Sequence, residues 1–557
     1  MPPARVAATP NILLLMVDQM RHDAMGCAGN PHIRTPNLDH LARTGVRFAQ
    51  AYSPIPVCIP ARLGLLTGRF AAAHGRYTLN VPIPEPQLPT VAELLGLAGY
   101  TTHAIGKMHF RPVRRHHGFH RLELMEEIPD YRQDDEYLQY LKAHGYGHIR
   151  WVHGVRSILY QLPQVSVLPE RHHGSTWVAD RTIDFLVQNR HRPFFCFASW
   201  IAPHPPWNAP EPFASMYDPE SLPDPVAPDR DPATLPAVMR RPDGHTAGMT
   251  PEMRRRVKAL YYGQISLIDK GIGRILRALD ELGLAENTLV LFTADHGEML
   301  GDHGRWGKHL PYGASARIPF LMRLPGRTEP GRVADDLVSL LDILPTALDL
   351  AGISYPYGEL PGASLLGREG GGLKEPRRRL VIEYGRGESR WLALREGSWR
   401  YTLYLRDGWE ELYDLGADPT EENNLLLDRG QGVSEVHRRR AAEMRAYLNA
   451  WERTHGFASP GAWQPDNEAL ERARRESPEF PGHSPRWVFR LPPEERAQME
   501  STADALAGAI AGEPTVSLEF LKRTGRLERW VRSGGEVPSE APSEAPSDVP
   551  AAGKGGN

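Results

Sequence analysis

Four runs of this chain are apolar at nearly every position: Asn11 to Val17, Pro193 to Ser199, Asn287 to Thr293 and Ile318 to Leu324. A strand with one wet face alternates in polarity, so unbroken runs of this length predict strands buried on both faces. Between them lie helix-period segments, Thr90 to Leu97, Thr176 to Val187 and Pro251 to Leu282, the last carrying Leu260, Ile265, Ile268, Ile272, Ile275 and Leu279 roughly on one stripe. Strand and helix alternating in this way predict an α/β fold, a mostly parallel central sheet flanked by helices. Ligands of such sheets collect beyond the carboxyl ends of the strands. Asp18 directly follows the first run and Asp295-His296 follows the third, so all three are expected at that end.

After about residue 375 the pattern changes to short aromatic and β-branched stretches, Leu380 to Tyr384, Trp391 to Leu394, Trp399 to Leu405 and Glu411 to Leu415, then a helix from Ser434 to Thr454. This predicts a small antiparallel sheet with one covering helix. The expected organisation is a main α/β domain over 1–375, the small domain over 376–455, an extension over 456–532 and a tail over 533–557. The extension is Pro-interrupted and Arg-rich, with helices expected at Glu468 to Glu476 and Pro492 to Ala511, and reads as an arm packing on the main body or on another subunit. The tail repeats Pro-Ser-Glu-Ala and has too little apolar surface to bury a core.

A net charge of -3 over 557 residues provides no global field for nucleic acid or an anionic membrane. Cys27, Cys58 and Cys196 are too few and too scattered for a disulfide framework or a metal finger. Met1 to Pro10 lacks the apolar core of a signal peptide and Ile12 to Val17 is too short to span a bilayer, which makes the cytoplasm the expected location.

Chemistry is concentrated around Cys58-Ile-Pro-Ala-Arg62, with Leu65-Leu-Thr-Gly-Arg69 at once behind it. Pro60 suits a first helical turn, so residue 58 stands where a helix N-terminus offers free N–H groups and partial positive charge to an anion. An inert buried thiol fits the same five residues. Asp18 and Asp295-His296, meeting residue 58 at one sheet edge, would make a metal site: the carboxylates suit calcium, magnesium or manganese, and the imidazole favours manganese, zinc or iron. The string Gly297-Glu-Met-Leu-Gly-Asp-His-Gly304 is glycine-rich, as backbone passing close to a site needs to be.

Taken in order, these and further strings resemble the sulfatase family across most of residues 10 to 455: Cys-x-Pro-x-Arg at 58–62, Thr35-Pro-Asn-Leu-Asp39, Gly45-Val-Arg-Phe48, Gly106-Lys-Met-His109, Pro203-His-Pro-Pro206, Gly307-Lys308, Ser339-Leu-Leu-Asp-Ile-Leu-Pro-Thr346 and Glu411-Leu-Tyr-Asp-Leu415 with Asp418-Pro419. The resemblance implies an alkaline-phosphatase-like fold and a sulfuric ester hydrolase. It implies that a maturation enzyme oxidises Cys58 to formylglycine (3-oxoalanine), and that one hydroxyl of the aldehyde hydrate attacks sulfur. His109 then takes the proton of the other hydroxyl, sulfate leaves and the aldehyde returns. A divalent metal held by Asp18, Gln19, residue 58, Asp295 and His296 is implied, with Arg62, Lys107, His204 and Lys308 surrounding the charge that builds on the sulfate oxygens. His204 and Lys308 are the candidates for protonating the leaving group, and Lys107, His204, Lys308 and Asn80 for binding substrate.

The chain departs from the family at two places. Asp18-Gln19 and Asp295-His296 stand where many sulfatases carry Asp-Asp and Asp-Asn. Calcium is the family's metal, and His296 admits manganese. The Gln and His variants, with Asn80, also resemble choline sulfatases and phosphonate or phosphodiester hydrolases, while the Lys107 and His109 pair favours a sulfate monoester. A phosphonate monoester hydrolase and an inactive binder of sulfated ligands are the alternatives. The pocket rim is expected from Arg111 to Arg121, with His116 and His117, and from Trp207 to Arg241, and the aromatics Trp207, Tyr217 and Trp306 are expected to serve packing. Homo-oligomerisation is compatible with all of this.

Overall fold

The structure, a computed structural model, describes residues 9–79, 88–156, 158–228, 246, 248–428, 430, 432–463, 468 and 486–532. Asn80, residues 229–241 of the expected rim, the expected helix beyond Glu468 and the tail from 533 lie outside the described residues.

Eight strands form the main sheet: β1 (Asn11–Val17), β2 (Val46–Tyr52), β3 (Thr101–Gly106), β4 (Arg121–Leu124), β5 (Phe194–Trp200), β6 (Thr288–Ala294), β7 (Phe320–Arg323) and β8 (Arg332–Ser339). Their order is β4-β3-β5-β1-β6-β7-β2-β8. Every pairing is parallel except those of β7, which runs against both β6 and β2. β1, β5 and β6 are buried at every position, as strands covered on both faces must be. The helix Gly174–Asn189 packs on β5 and β3 and against the long helix Pro251–Glu281, which carries the apolar stripe seen in the sequence. Thr250 caps that long helix by accepting the N–H of Met253, with Pro251 in its first turn.

β9 (Arg379–Tyr384), β10 (Trp391–Glu396), β11 (Trp399–Tyr404) and β12 (Trp409–Asp414) form a separate antiparallel meander. The helix Glu435–Thr454 covers it, capped by Ser434, and buries Ala441, Met444, Leu448 and Trp451 against Leu392, Leu394, Tyr401 and Leu412. The opposite face, through Ile382, Ala393, Tyr404 and Tyr413, joins the main core.

Two expectations change. The run at Ile318 to Leu324 is a strand only from Phe320 to Arg323, and it is the reversed one. The helix expected over Pro492 to Ala511 is two, Pro493–Ala497 and Thr502–Ile510, because the hydroxyl of Ser501 accepts the N–H of Asp504 and starts a new helix. These and the helices Leu518–Arg523 and Arg526–Arg532 pack on the main body, sinking Trp487, Leu506, Ile510, Leu521 and Trp530 into its core.

Candidate active site

Strand register decides which side chains can meet. Val17 at the end of β1 lies beside Trp200 of β5 and Ala294 of β6, so Asp18 and Asp295 leave adjacent strands at the same end. Gly106 of β3 pairs with Ser199, and the N–H of Lys107 donates to the Ser199 carbonyl at 2.9 Å, so Lys107 leaves there too. Cys58 is the first residue of the helix Cys58–Thr67, six positions past the end of β2, with no side chain capping the helix.

The buried Cys58 Sγ lies 3.0 Å from Lys308 Nζ, 3.2 Å from His296 Nε2 and 3.7 Å from Asp18 Oδ1. Asp18, Cys58, Asp295 and His296 each present a ligand atom, all within 4.8 Å of one another and all buried. His296 is prepared for such a role: its Nδ1 is 2.9 Å from the Gly297 carbonyl and donates to it, which leaves Nε2 as the lone pair facing the cluster. Burial, with Lys308 assisting, pushes the pKa of His296 down to about 4 against the pull of Asp295 and Asp18, so the ring is neutral at pH 7. Two carboxylates and a neutral imidazole around an oxygen or sulfur at 58 fit a divalent cation.

Arg62 lies across both acids. Its Nε donates to Asp295 Oδ2 at 2.9 Å, its NH2 is 3.5 Å from Asp18 Oδ2, and its NH1 donates to the Lys107 carbonyl and Ser199 Oγ at 2.5 and 2.9 Å. Gln19 points elsewhere than the acids: its amide oxygen accepts from Lys308 Nζ at 2.8 Å and its Nε2 donates to Glu298, while only its backbone N–H reaches Asp295 Oδ1. Burial alone would raise the pKa of Asp18, but Lys107, His204, Lys308 and His296 outweigh it and hold the carboxyl well below its ordinary value.

A second layer surrounds Glu127, which the sequence reading missed. Lys107 Nζ sits 2.5 Å from both Asp18 Oδ2 and Glu127 Oε2. Glu127 also pairs with Arg156 and lies 3.7 Å from His204 Nδ1. That Nδ1 is 2.6 Å from the Pro205 carbonyl and donates to it, so Nε2 is the unprotonated nitrogen, with Tyr160 OH at 3.5 Å. Burial presses His204 below its ordinary pKa although Glu127 opposes it. His109 feels Lys107, Glu127 and Arg62, and burial first and Lys107 second keep it neutral. Among the described residues no hydrogen bond joins His109 to residue 58. Its backbone is left-handed, φ 59°, and its N–H and that of Met108 both donate to Glu126 Oε1 at 2.9 Å, which holds the strained turn. Glu126 and Glu127 directly follow β4 and its neighbour Met125. A paired acid has no motif spacing of its own, and only the β3–β4 pairing brings it to Lys107.

The rim loops are partly turned inward. His117 packs on Phe110 and His116 bonds the Phe119 carbonyl. Trp207 and Trp306 meet at 5.7 Å between ring centres, whereas Tyr217 is tied to Ser266 and pairs with Tyr262.

Residues 10–353 match the Sulfatase family, and 301–447 match the family described as N-sulphoglucosamine sulphohydrolase, C-terminal. The chain belongs to the sulfatase family. As such it is a sulfuric ester hydrolase. It is 35% identical over 442 residues to an arylsulfatase of Clostridium perfringens, covering 75% of this chain and 90% of that one. It is 31% identical over 499 residues to a choline-sulfatase of Rhizobium meliloti, covering 86% and 90%. The phosphonate monoester hydrolase of Agrobacterium radiobacter shares the fold, with a TM-score of 0.69 at 24% identity over 80% of this sulfatase chain and 96% of that one. No helix among the described residues of this sulfatase is long and apolar enough to cross a membrane.

Proposed function

We propose that this sulfatase hydrolyses an organic sulfate monoester to the alcohol and inorganic sulfate, using a formylglycine made from Cys58 by a maturation enzyme and one divalent metal. The observation that carries the reading is the convergence on the residue 58 side chain of Lys308 Nζ at 3.0 Å and His296 Nε2 at 3.2 Å, beside the paired acids Asp18 and Asp295. When in place, the aldehyde hydrate supplies the nucleophilic hydroxyl and the metal supplies positive charge to the sulfate oxygens. Asp18, Asp295 and His296 would hold that metal with the oxygen at 58, calcium or manganese being the ions this donor set suits.

The chain's own residues do the rest. Arg62 orients both acids, so it shapes the site through Asp18 and Asp295. Lys107, buried, and Lys308, half-buried, are the ammonium groups set to bind the sulfate oxygens, and Gln19 steers Lys308. Neutral His109 is competent to take a proton from a hydroxyl at 58. In the tautomer fixed by Pro205, His204 offers no proton on Nε2, which favours Lys308 as the donor to the leaving oxygen.

Mass spectrometry of the peptide holding residue 58, from protein produced with the maturation enzyme, is expected to find the aldehyde, and its fraction to scale with turnover of 4-nitrophenyl sulfate. Full activity from protein carrying only the thiol overturns the nucleophile. Faster turnover of an aryl phosphonate than of the sulfate would move the assignment to phosphonate ester hydrolysis.

A further inference from the structure

The family matches end at residue 447, yet the chain continues into an arm, described over 486–532, that packs beside the site. The arm grips one segment repeatedly. The N–H of Glu500 donates to the His148 carbonyl and Glu500 Oε1 accepts the N–H of Arg150, both at 3.0 Å. Trp530 packs on Trp151 with ring centres 6.2 Å apart, and the fully buried Arg526 donates from NH1 to the Ile158 carbonyl at 3.2 Å. A little further on, Val165 N–H donates to the Ala509 carbonyl at 3.2 Å, and Glu513 pairs with Arg256 of the long helix at 2.9 Å.

The gripped segment holds two residues of the site's second layer. Arg156, 6% exposed, makes an ion pair with Glu127, which in turn touches Lys107 and faces His204. Its guanidinium also lies 4.7 Å from the centre of the Tyr160 ring. Tyr160 OH is 3.5 Å from the unprotonated Nε2 of His204, and so is placed to donate to it. No strand or helix fixes residues 150–156 or 158–161 among the described residues. The buried Gln164 amide ties Val155 to Leu159 from within, and the arm holds the segment from outside.

We propose that the C-terminal arm is a working part of the active site: by holding residues 150–156 and 158–161, it sets Arg156 on Glu127 and Tyr160 on His204. Tyr160, Arg156 and the arm are positioning residues. They act on sulfate binding and turnover through His204 and Lys107. This rests on the hydrolase reading only for the assay, because binding of inorganic sulfate tests it separately.

The test is a double-mutant cycle of Trp530→Leu and Tyr160→Phe in the full chain, read by kcat/KM on 4-nitrophenyl sulfate and by calorimetric affinity for inorganic sulfate. Each single change is expected to lower both quantities about fivefold, the worth of one buried hydrogen bond. The double variant is expected to lose about the same, because both changes break one linkage. Amide exchange in 150–161 is expected to speed up in Trp530→Leu. If that variant does not fold, Glu500→Ala, which removes the acceptor for the Arg150 N–H, takes its place in the cycle with the same expectations. Losses that multiply to about 25-fold, or an arm variant that binds and turns over like the parent, overturn the proposal. A parent that turns over no sulfate ester, yet shows the shared loss of sulfate affinity, overturns the hydrolase reading and supports the arm's role. A parent that binds no sulfate overturns both.

Discussion

At residue 58 the electrostatics leave little to an unmodified thiol. Burial and the Asp18 carboxylate push Cys58 up to about 12 despite Lys308 and Lys107, so the bare side chain is a weak nucleophile. What the neighbours do provide is a charged cradle, and Asp295 is central to it through both its oxygens, one accepting from Arg62 and the other from the N–H groups of Gln19 and His296. Asp295→Ala is expected to lose bound metal and activity together, each falling about 100-fold or more in metal affinity and in kcat/KM. Elemental analysis of the purified variant checks the first and turnover of 4-nitrophenyl sulfate the second. Retained metal with lost activity would reassign Asp295 to orienting Arg62. Much of this layer was legible in the sequence because Asp18, Cys58, Lys107, His204, Asp295 and Lys308 stand in strings whose spacing carries information. Glu127 was not. An acid gains its meaning here from two cations, Lys107 and Arg156, contributed by other parts of the chain, and no local pattern records that.

Among the elements, the loop carrying Lys308 shows how a rigid support is built from outside. His309 holds a left-handed backbone, φ 79°, its N–H donating to the Pro56 carbonyl at 3.2 Å and its own carbonyl accepting the Trp391 indole N–H at 3.0 Å. A few residues on, Gly313 N–H donates to Glu421 Oε2 at 2.6 Å, and Tyr312 stacks on His303. The small sheet thereby clamps the same loop that presents Lys308 to residue 58. Trp391→Phe keeps an aromatic ring and removes the donor, leaving a half-buried carbonyl without this bond at a cost of about 1 kcal/mol. The expected result is a several-fold fall in kcat/KM alongside a lower urea midpoint. A lower midpoint with unchanged kinetics would show that the clamp stops short of Lys308. The elements themselves were unevenly legible. β1, β5 and β6 announce themselves as unbroken apolar runs, whereas β3 carries His103 and β8 carries Asp335 and Asp336, polar groups that mask a strand in the sequence. His103 is tolerated because Glu123 of β4 pairs with it at 3.2 Å across the sheet, a partner known only after folding.

Across the whole molecule, one core runs from the eight-stranded sheet into the arm and a second lies beneath the helix Glu435–Thr454. The sequence announced the two sheets through their different periodicities, but it left the arm's destination open, since an Arg-rich, Pro-interrupted stretch packs equally well on its own body or on another copy. Such extensive burial includes histidines that must stay neutral. His74, 2% exposed, has its pKa lowered to about 3 by burial and Arg76, and His173, 7% exposed, is lowered to about 4 by burial. Each uses Nδ1 as an acceptor, from the N–H of Arg76 at 3.3 Å and of Ser175 at 3.2 Å, and protonation would remove it. In the unfolded chain both titrate near 6.5. Below that pH the unfolded state binds protons that the folded state refuses, so stability is full above about 6.5 and falls as the solution is acidified towards 4 and 3. The slope is on the order of 1 kcal/mol per pH unit for each histidine. Urea unfolding followed from pH 7 to pH 4 is expected to show the decline. His74→Asn keeps an acceptor for Arg76 but cannot titrate, so it should decline less steeply than the parent. Parallel declines in the two proteins would mean that His74 takes up its proton without leaving the fold, and that the acid sensitivity comes from other groups.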